Sequence, residues 1–305
     1  MEFGTENVRS TGTGYIVPPV EDEEIYPYAR VWPGLAAMAG TLFGVVVAVV
    51  VISAVVDPPR NIWSPLGVLL ALLPGLLWCL FPWLAERRAE LGRERLFAVF
   101  IISALLANAL GYPLIQHWLA VDSWGAQQPL FTRILIYSLA IGTIPEVLKY
   151  LVVRYVAWQD YFRIRADATA YSIAATIGYL TVLHLHYVLE ASPPPDTAAI
   201  RIFSTTAIAL SNSLIVAYGI SEMRFSMPSP LLLPGVISIA SLISGVVFAV
   251  RGNLSNTRLT LAISSPRLLI SLIISAVLLM GISLAMVFLF NTTERQAEEA
   301  QGTGL

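Results

Sequence analysis

Residues 133–157 read RILIYSLAIGTIPEVLKYLVVRYVA, an apolar run with Pro145, Glu146, Lys149 and Tyr150 in its middle. A second run opens with Asp167 and Tyr171 and closes with GYLTVLHLHY at 178–187. Each is long enough to cross a bilayer core, which takes about 20 apolar residues. A charged side chain near the bilayer centre costs about 2.5–3.5 kcal/mol on insertion scales, so it needs a partner or a function. Glu146 and Lys149 stand three apart on one helix and share a face, where each partly neutralises the other. The pair is therefore either part of an active site or a structural ion pair.

The rest of the chain fits a membrane setting. Of 305 residues, 56% are hydrophobic and only 12% charged, whereas a soluble domain carries about 25% charged residues. Eight stretches have the length and apolarity to span, at roughly 32–56, 63–84, 96–120, 132–156, 168–190, 200–222, 229–250 and 266–291. The fold class expected is all-α, a polytopic bundle of about eight transmembrane helices spanning 31–292, with the lipid bilayer as its first partner. The first stretch shows no cleavage pattern and reads as an anchor rather than a signal peptide. Residues 1–30, with the run Glu21-Asp22-Glu23-Glu24, read as a disordered acidic tail. Residues 293–305 read as a short polar tail.

Small residues four apart mark close helix packing in membranes. The spacing occurs at Ala36, Gly40 and Gly44, and again at Thr205, Ala209, Ser213 and Ala217, which places the sixth helix inside the bundle. Arginine placement sets orientation. Arg87, Arg88, Arg93 and Arg95 follow the second helix, and Arg154, Arg163 and Arg165 surround the loop after the fourth. Both termini are then cytoplasmic in a multi-pass protein of the cell membrane, although Arg251, Arg258 and Arg267 fall on the opposite side. The seven tryptophans mostly lie near helix ends, as interfacial residues do. A net charge of −2 gives no sign of a nucleic-acid partner. Cys79 is the only cysteine, so no intrachain disulfide can form.

Among the polar groups, Glu146 has the chemistry of a general base or a metal ligand. Pro145 removes a backbone hydrogen bond beside it and opens room for water. Lys149, the only lysine in the chain, can keep Glu146 ionised or stabilise an oxyanion. His184 and His186 point roughly 200° apart on one helix and cannot chelate the same metal. His184 shares a face with Tyr187, and His186 shares one with Glu190. His117 sits near a helix end, where an interfacial position is expected. There is no H-E-x-x-H and no cysteine pair, so no zinc motif stands by itself.

The region from about Leu77 to Gly219 resembles the PrsW-type intramembrane protease family, within the wider CAAX-protease and bacteriocin-processing group. The family's apolar helix followed by a polar, Arg-rich loop is matched by LLWCLFPWLAERRAELGRER. Its glutamate pair followed by lysine is matched by Pro145-Glu146-Val147-Leu148-Lys149, and its second motif by the spacing of Asp167, Tyr171, Gly178, Tyr179 and Tyr187. The resemblance implies an intramembrane peptidase of the bacterial inner membrane, with Glu146 and Lys149 catalytic. The chain departs from the pattern where the metal ligands belong. Pro145 replaces the first glutamate, Leu183 and His184 stand at Glu-Asn, and no histidine falls near Ala209 to Ser211.

The reading is therefore a PrsW-like protein with a degenerate site, a pseudoenzyme that binds a transmembrane segment of another protein without cutting it. On that reading no cofactor is expected. A working peptidase would need zinc held by Glu146 and His184, with Ser211 or Asn212 as weak additional donors. Asp167, Tyr171, Gly178 and Tyr187 would then line the substrate path or support the scaffold, Asp167 serving equally well as a helix cap. A proton-coupled transporter using Glu146 and the histidines is the third reading.

Overall fold

The computed structural model describes residues 28–56, 58–86, 94–157, 165–225, 229–255 and 266–302. The expected amino-terminal tail up to residue 27, together with Arg87, Arg88, Arg93, Arg163 and Arg258, lies outside the described residues. Among those described, all regular structure is helical: α1 (Tyr28–Val56), α2 (Trp63–Glu86), α3 (Glu94–Leu106), α4 (Val121–Trp124), α5 (Leu130–Tyr137), α6 (Ile144–Val156), α7 (Arg165–Ala191), α8 (Pro195–Phe225), α9 (Leu232–Ser255) and α10 (Pro266–Gly302). Eight spans among the described residues are long and apolar enough to cross a membrane: Trp32–Val56, Arg60–Leu80, Arg95–Trp118, Leu130–Val156, Arg165–Ala191, Pro195–Phe225, Leu232–Val250 and Leu269–Thr292. The chain is a polytopic membrane helix bundle, and each span overlaps the stretch expected from apolar length.

Helix α8 is the axis of the bundle. It packs against α1, α2, α7, α9 and α10, and 83% of its most apolar window is buried, against 11% for the first span. Of the expected stripe Ser213 and Ala217 are buried while Thr205 and Ala209 are half-buried, and Ala207 and Ser211 add further small buried residues that suit close packing. The stripe at Ala36, Gly40 and Gly44 behaves differently. A methyl group built on Gly40 or Gly44 would meet nothing within 4 Å, so this stripe faces outward while Leu35, Met38, Leu42 and Val46 enter the core. Not every tryptophan is interfacial either. Trp78 is buried and stacks on Phe100 with ring centroids 5.3 Å apart. At the carboxyl end, α10 continues as helix beyond its span to Gly302, where a polar tail is expected from composition.

Two spans are interrupted by π turns, and each interruption neighbours a proline. The third span widens at Ala107–Gly111 and Leu114–Trp118 on either side of Pro113. The fourth widens at Ser138–Thr143, just before Pro145 in α6. A proline ring clashes with the carbonyl four residues back and offers no N–H to it, and a wider turn relieves that contact. Hydroxyls take up nearby carbonyls inside the fourth span: Thr143 Oγ1 donates to the Ser138 carbonyl at 3.1 Å, and Ser138 Oγ to that of Ile134 at 2.8 Å. Gly142 within this turn lies against α9, where a Cβ would come 2.5 Å from the Ser241 carbonyl oxygen. Gly142→Ala should therefore destabilise the protein by about 1–3 kcal/mol through overpacking, whereas Gly44→Ala, with open space around it, should not lower the thermal unfolding temperature in detergent.

Candidate functional site

The π turn and Pro145 set the start of α6 so that Glu146 and Lys149 point at α7 and α8. Glu146 is 3% and Lys149 5% exposed, and Lys149 Nζ donates to Glu146 Oε1 at 2.7 Å. Lys149 also reaches Ser213 Oγ of α8 at 3.4 Å, and Ser213 is hydrogen-bonded to Thr176 of α7. Three helices are thus joined through one charged pair and two hydroxyls. A small cavity touches this centre, bounded by Glu146, Lys149, Tyr150, Ser172, Ser213 and Ile220. Ser172 Oγ is buried there without a hydrogen-bond partner among the described residues.

His184 belongs to a different contact. Its Nε2 lies 3.1 Å from Thr206 Oγ1 on α8, and it is not among the residues bounding the cavity. From Thr176 to His184 the rise along α7 is about 12 Å. Glu146 is thus paired with Lys149 on its own helix, while His184 contacts Thr206 across to α8. Among the described residues, no three His, Cys, Asp or Glu side chains come together as a ligand set.

The other expected residues are spread through the bundle. Ser211 Oγ bonds back to the Ala207 carbonyl at 2.8 Å within α8. Asn212 Nδ2 donates to Ser244 Oγ of α9 at 2.6 Å, while its Oδ1 is buried without a partner among the described residues. Asp167 lies in the first turn of α7, where a carboxylate suits the helix dipole. Tyr171 is buried in the main core. Gly178 is the contact point of α3 and α7: a Cβ on it would overlap the Phe100 carbonyl oxygen. Tyr187 carries the Arg201 guanidinium over its ring at 3.8 Å, a cation–π pair.

A second polar cluster lies at the far end of α7. His186 Nε2 is 2.9 Å from Asn108 Oδ1 and its Nδ1 3.4 Å from Glu190 Oε1. The Tyr112 hydroxyl donates to the Glu190 carboxylate at 2.5 Å, and its ring stacks on His186 with centroids 4.0 Å apart. His117 meets the same ring edge-on. Toward the opposite end of α7, Arg165 forms an ion pair with Glu222 of α8. Sequence reasoning pairs His186 with Glu190 through their spacing but misses Asn108 and Tyr112, which meet them from another span. It also misses Ser213, Thr176 and Ser172, which look like ordinary small helix residues. Compared with known families, curated proteins and solved structures, the chain matches none.

Proposed function

We propose that this is a PrsW-like membrane protein in which the metallopeptidase site has been dismantled, and which binds a transmembrane segment of another protein without cutting it. The observation that carries this reading is the occupation of Glu146: its carboxylate holds Lys149, which reaches Ser213 of α8, and among the described residues no three His, Cys, Asp or Glu side chains gather as a ligand set. Two protein ligands would in any case fall short of the three usual at a catalytic zinc. The arginine placement supports an orientation with both termini in the cytoplasm.

A specific observation also favours the rival reading, an active intramembrane peptidase. The cavity beside Glu146 and Lys149 places a charged pair and the Ser172 hydroxyl where a water could sit. Comparing protein fragments in membranes that contain wild type or Glu146→Gln separates the two. The non-cleaving reading expects identical fragments, and no zinc retained by the purified wild type. Fragments that vanish with Glu146→Gln would establish the peptidase instead.

A further inference from the structure

The fourth span carries a cation that its surroundings leave unanswered. Arg133 is 6% exposed, and its Nε is enclosed without a hydrogen-bond partner among the described residues. The ion pairs formed among those residues are Glu146–Lys149, Arg165–Glu222 and His186–Glu190, none of which involves Arg133. Its neighbours on the buried face of α5 are apolar. Tyr137, one turn on, and Ala140 beyond it form a small core with Val121 and with Ala249 of α9. A guanidinium buried against such a surface is costly unless an anion answers it.

The backbone at this point favours negative charge as well. Helix α5 begins at Leu130, and the Arg133 amide bonds to the Pro129 carbonyl. The amides of Leu130, Phe131 and Thr132 precede that bond and have no partner within the helix. The helix dipole adds partial positive charge there, yet the first turn of α5 contains no acidic residue. Depth decides which anion fits. Arg133 is the fourth residue of the span Leu130–Val156, about 5 Å inside its end by helical rise. Long side chains on a helix lean toward its amino terminus, which here is the edge of the span. Trp118 at the end of the third span, Trp124 and Phe131 are all exposed, as side chains at the headgroup level are. We propose that Arg133 and the amino-terminal amides of α5 bind the phosphodiester of a phospholipid at this edge of the bundle. The guanidinium fork suits paired phosphate oxygens, and the lipid supplies the counter-charge for Arg133. This goes beyond the binding reading above and does not depend on it.

The test compares wild type with Arg133→Met by thermal unfolding, both stripped of lipid in a nonionic detergent. Without lipid, Arg133→Met should melt at or above wild type, because it removes a buried charge that has no partner. Phosphatidylglycerol at about a hundredfold excess over its Kd should then raise wild type by about 5 °C or more. Arg133→Met should gain less than half as much. Diacylglycerol with the same acyl chains lacks the phosphate and should not separate the two proteins. A lower melting temperature of Arg133→Met without lipid would overturn the proposal, since the guanidinium then has a partner inside the protein. Equal gains from phosphatidylglycerol in both proteins would overturn it too. So would a full gain from inorganic phosphate alone, which marks a free-anion site instead of a lipid one. If Arg133→Met fails to fold, Arg133→Lys takes its place. It keeps the charge without the paired donors, so its gain from phosphatidylglycerol should fall below that of wild type, and an equal gain counts against the site.

Discussion

Lys149→Met alone should lower the stability of the bundle by about 3–5 kcal/mol, because it leaves a buried carboxylate without its counter-charge. Glu146 is 3% exposed, and among the described residues the cation placed on it is Lys149 Nζ at 2.7 Å. Losing the ammonium also removes its contact with Ser213, so α6 and α8 lose a link at the same level. Glu146→Leu combined with Lys149→Met should recover most of the loss. A buried ion pair gains little over apolar groups of similar volume, since desolvation offsets much of the attraction. Thermal unfolding of the three proteins in one detergent checks this. Equal melting of Lys149→Met and wild type would show that the pair does not hold the bundle together.

Gly178→Val should be nearly as damaging, by about 3 kcal/mol or more, at the upper end for overpacking. The atom in its way is the Phe100 carbonyl oxygen, part of a helix backbone that cannot rotate aside. Separating α3 from α7 would also strain the bond from Ser103 Oγ to the Ala175 carbonyl, 2.6 Å long and fully buried. Gly40 makes a useful control, since a Cβ there meets nothing within 4 Å. Trp78, stacked on Phe100, supplies the readout: its fluorescence should shift in Gly178→Val and stay unchanged in Gly40→Ala.

The spans are legible in the sequence because crossing a bilayer requires a length of apolar residues that few other structures need. The Glu146–Lys149 contact is legible for a different reason: three residues on one helix fix a shared face whatever surrounds it. The helix-to-helix partners are not. Lipid and protein core are both apolar, so hydrophobic periodicity cannot distinguish the lipid-facing side of α1 from its buried side. That is why Ala36, Gly40 and Gly44 carry the spacing of a packed interface while facing outward. Ser213 and Thr176 meet only because α7 and α8 are rotated in a particular way, and no local signal records that rotation. Asn108 and Tyr112 are harder still. They share a face by spacing, as residues four apart do, yet nothing local says that this face meets α7.

The central position of α8 has a consequence for how the protein is made. Helices enter the membrane in chain order, so α8 emerges after α1, α2 and α7 but before α9 and α10, all of which it touches. In the interval, the side of α8 carrying Asn212 lacks Ser244 of α9, its partner in the finished protein. The half-built bundle therefore exposes an amide to lipid until the next hairpin arrives. That amide is covered only once α9 is in place.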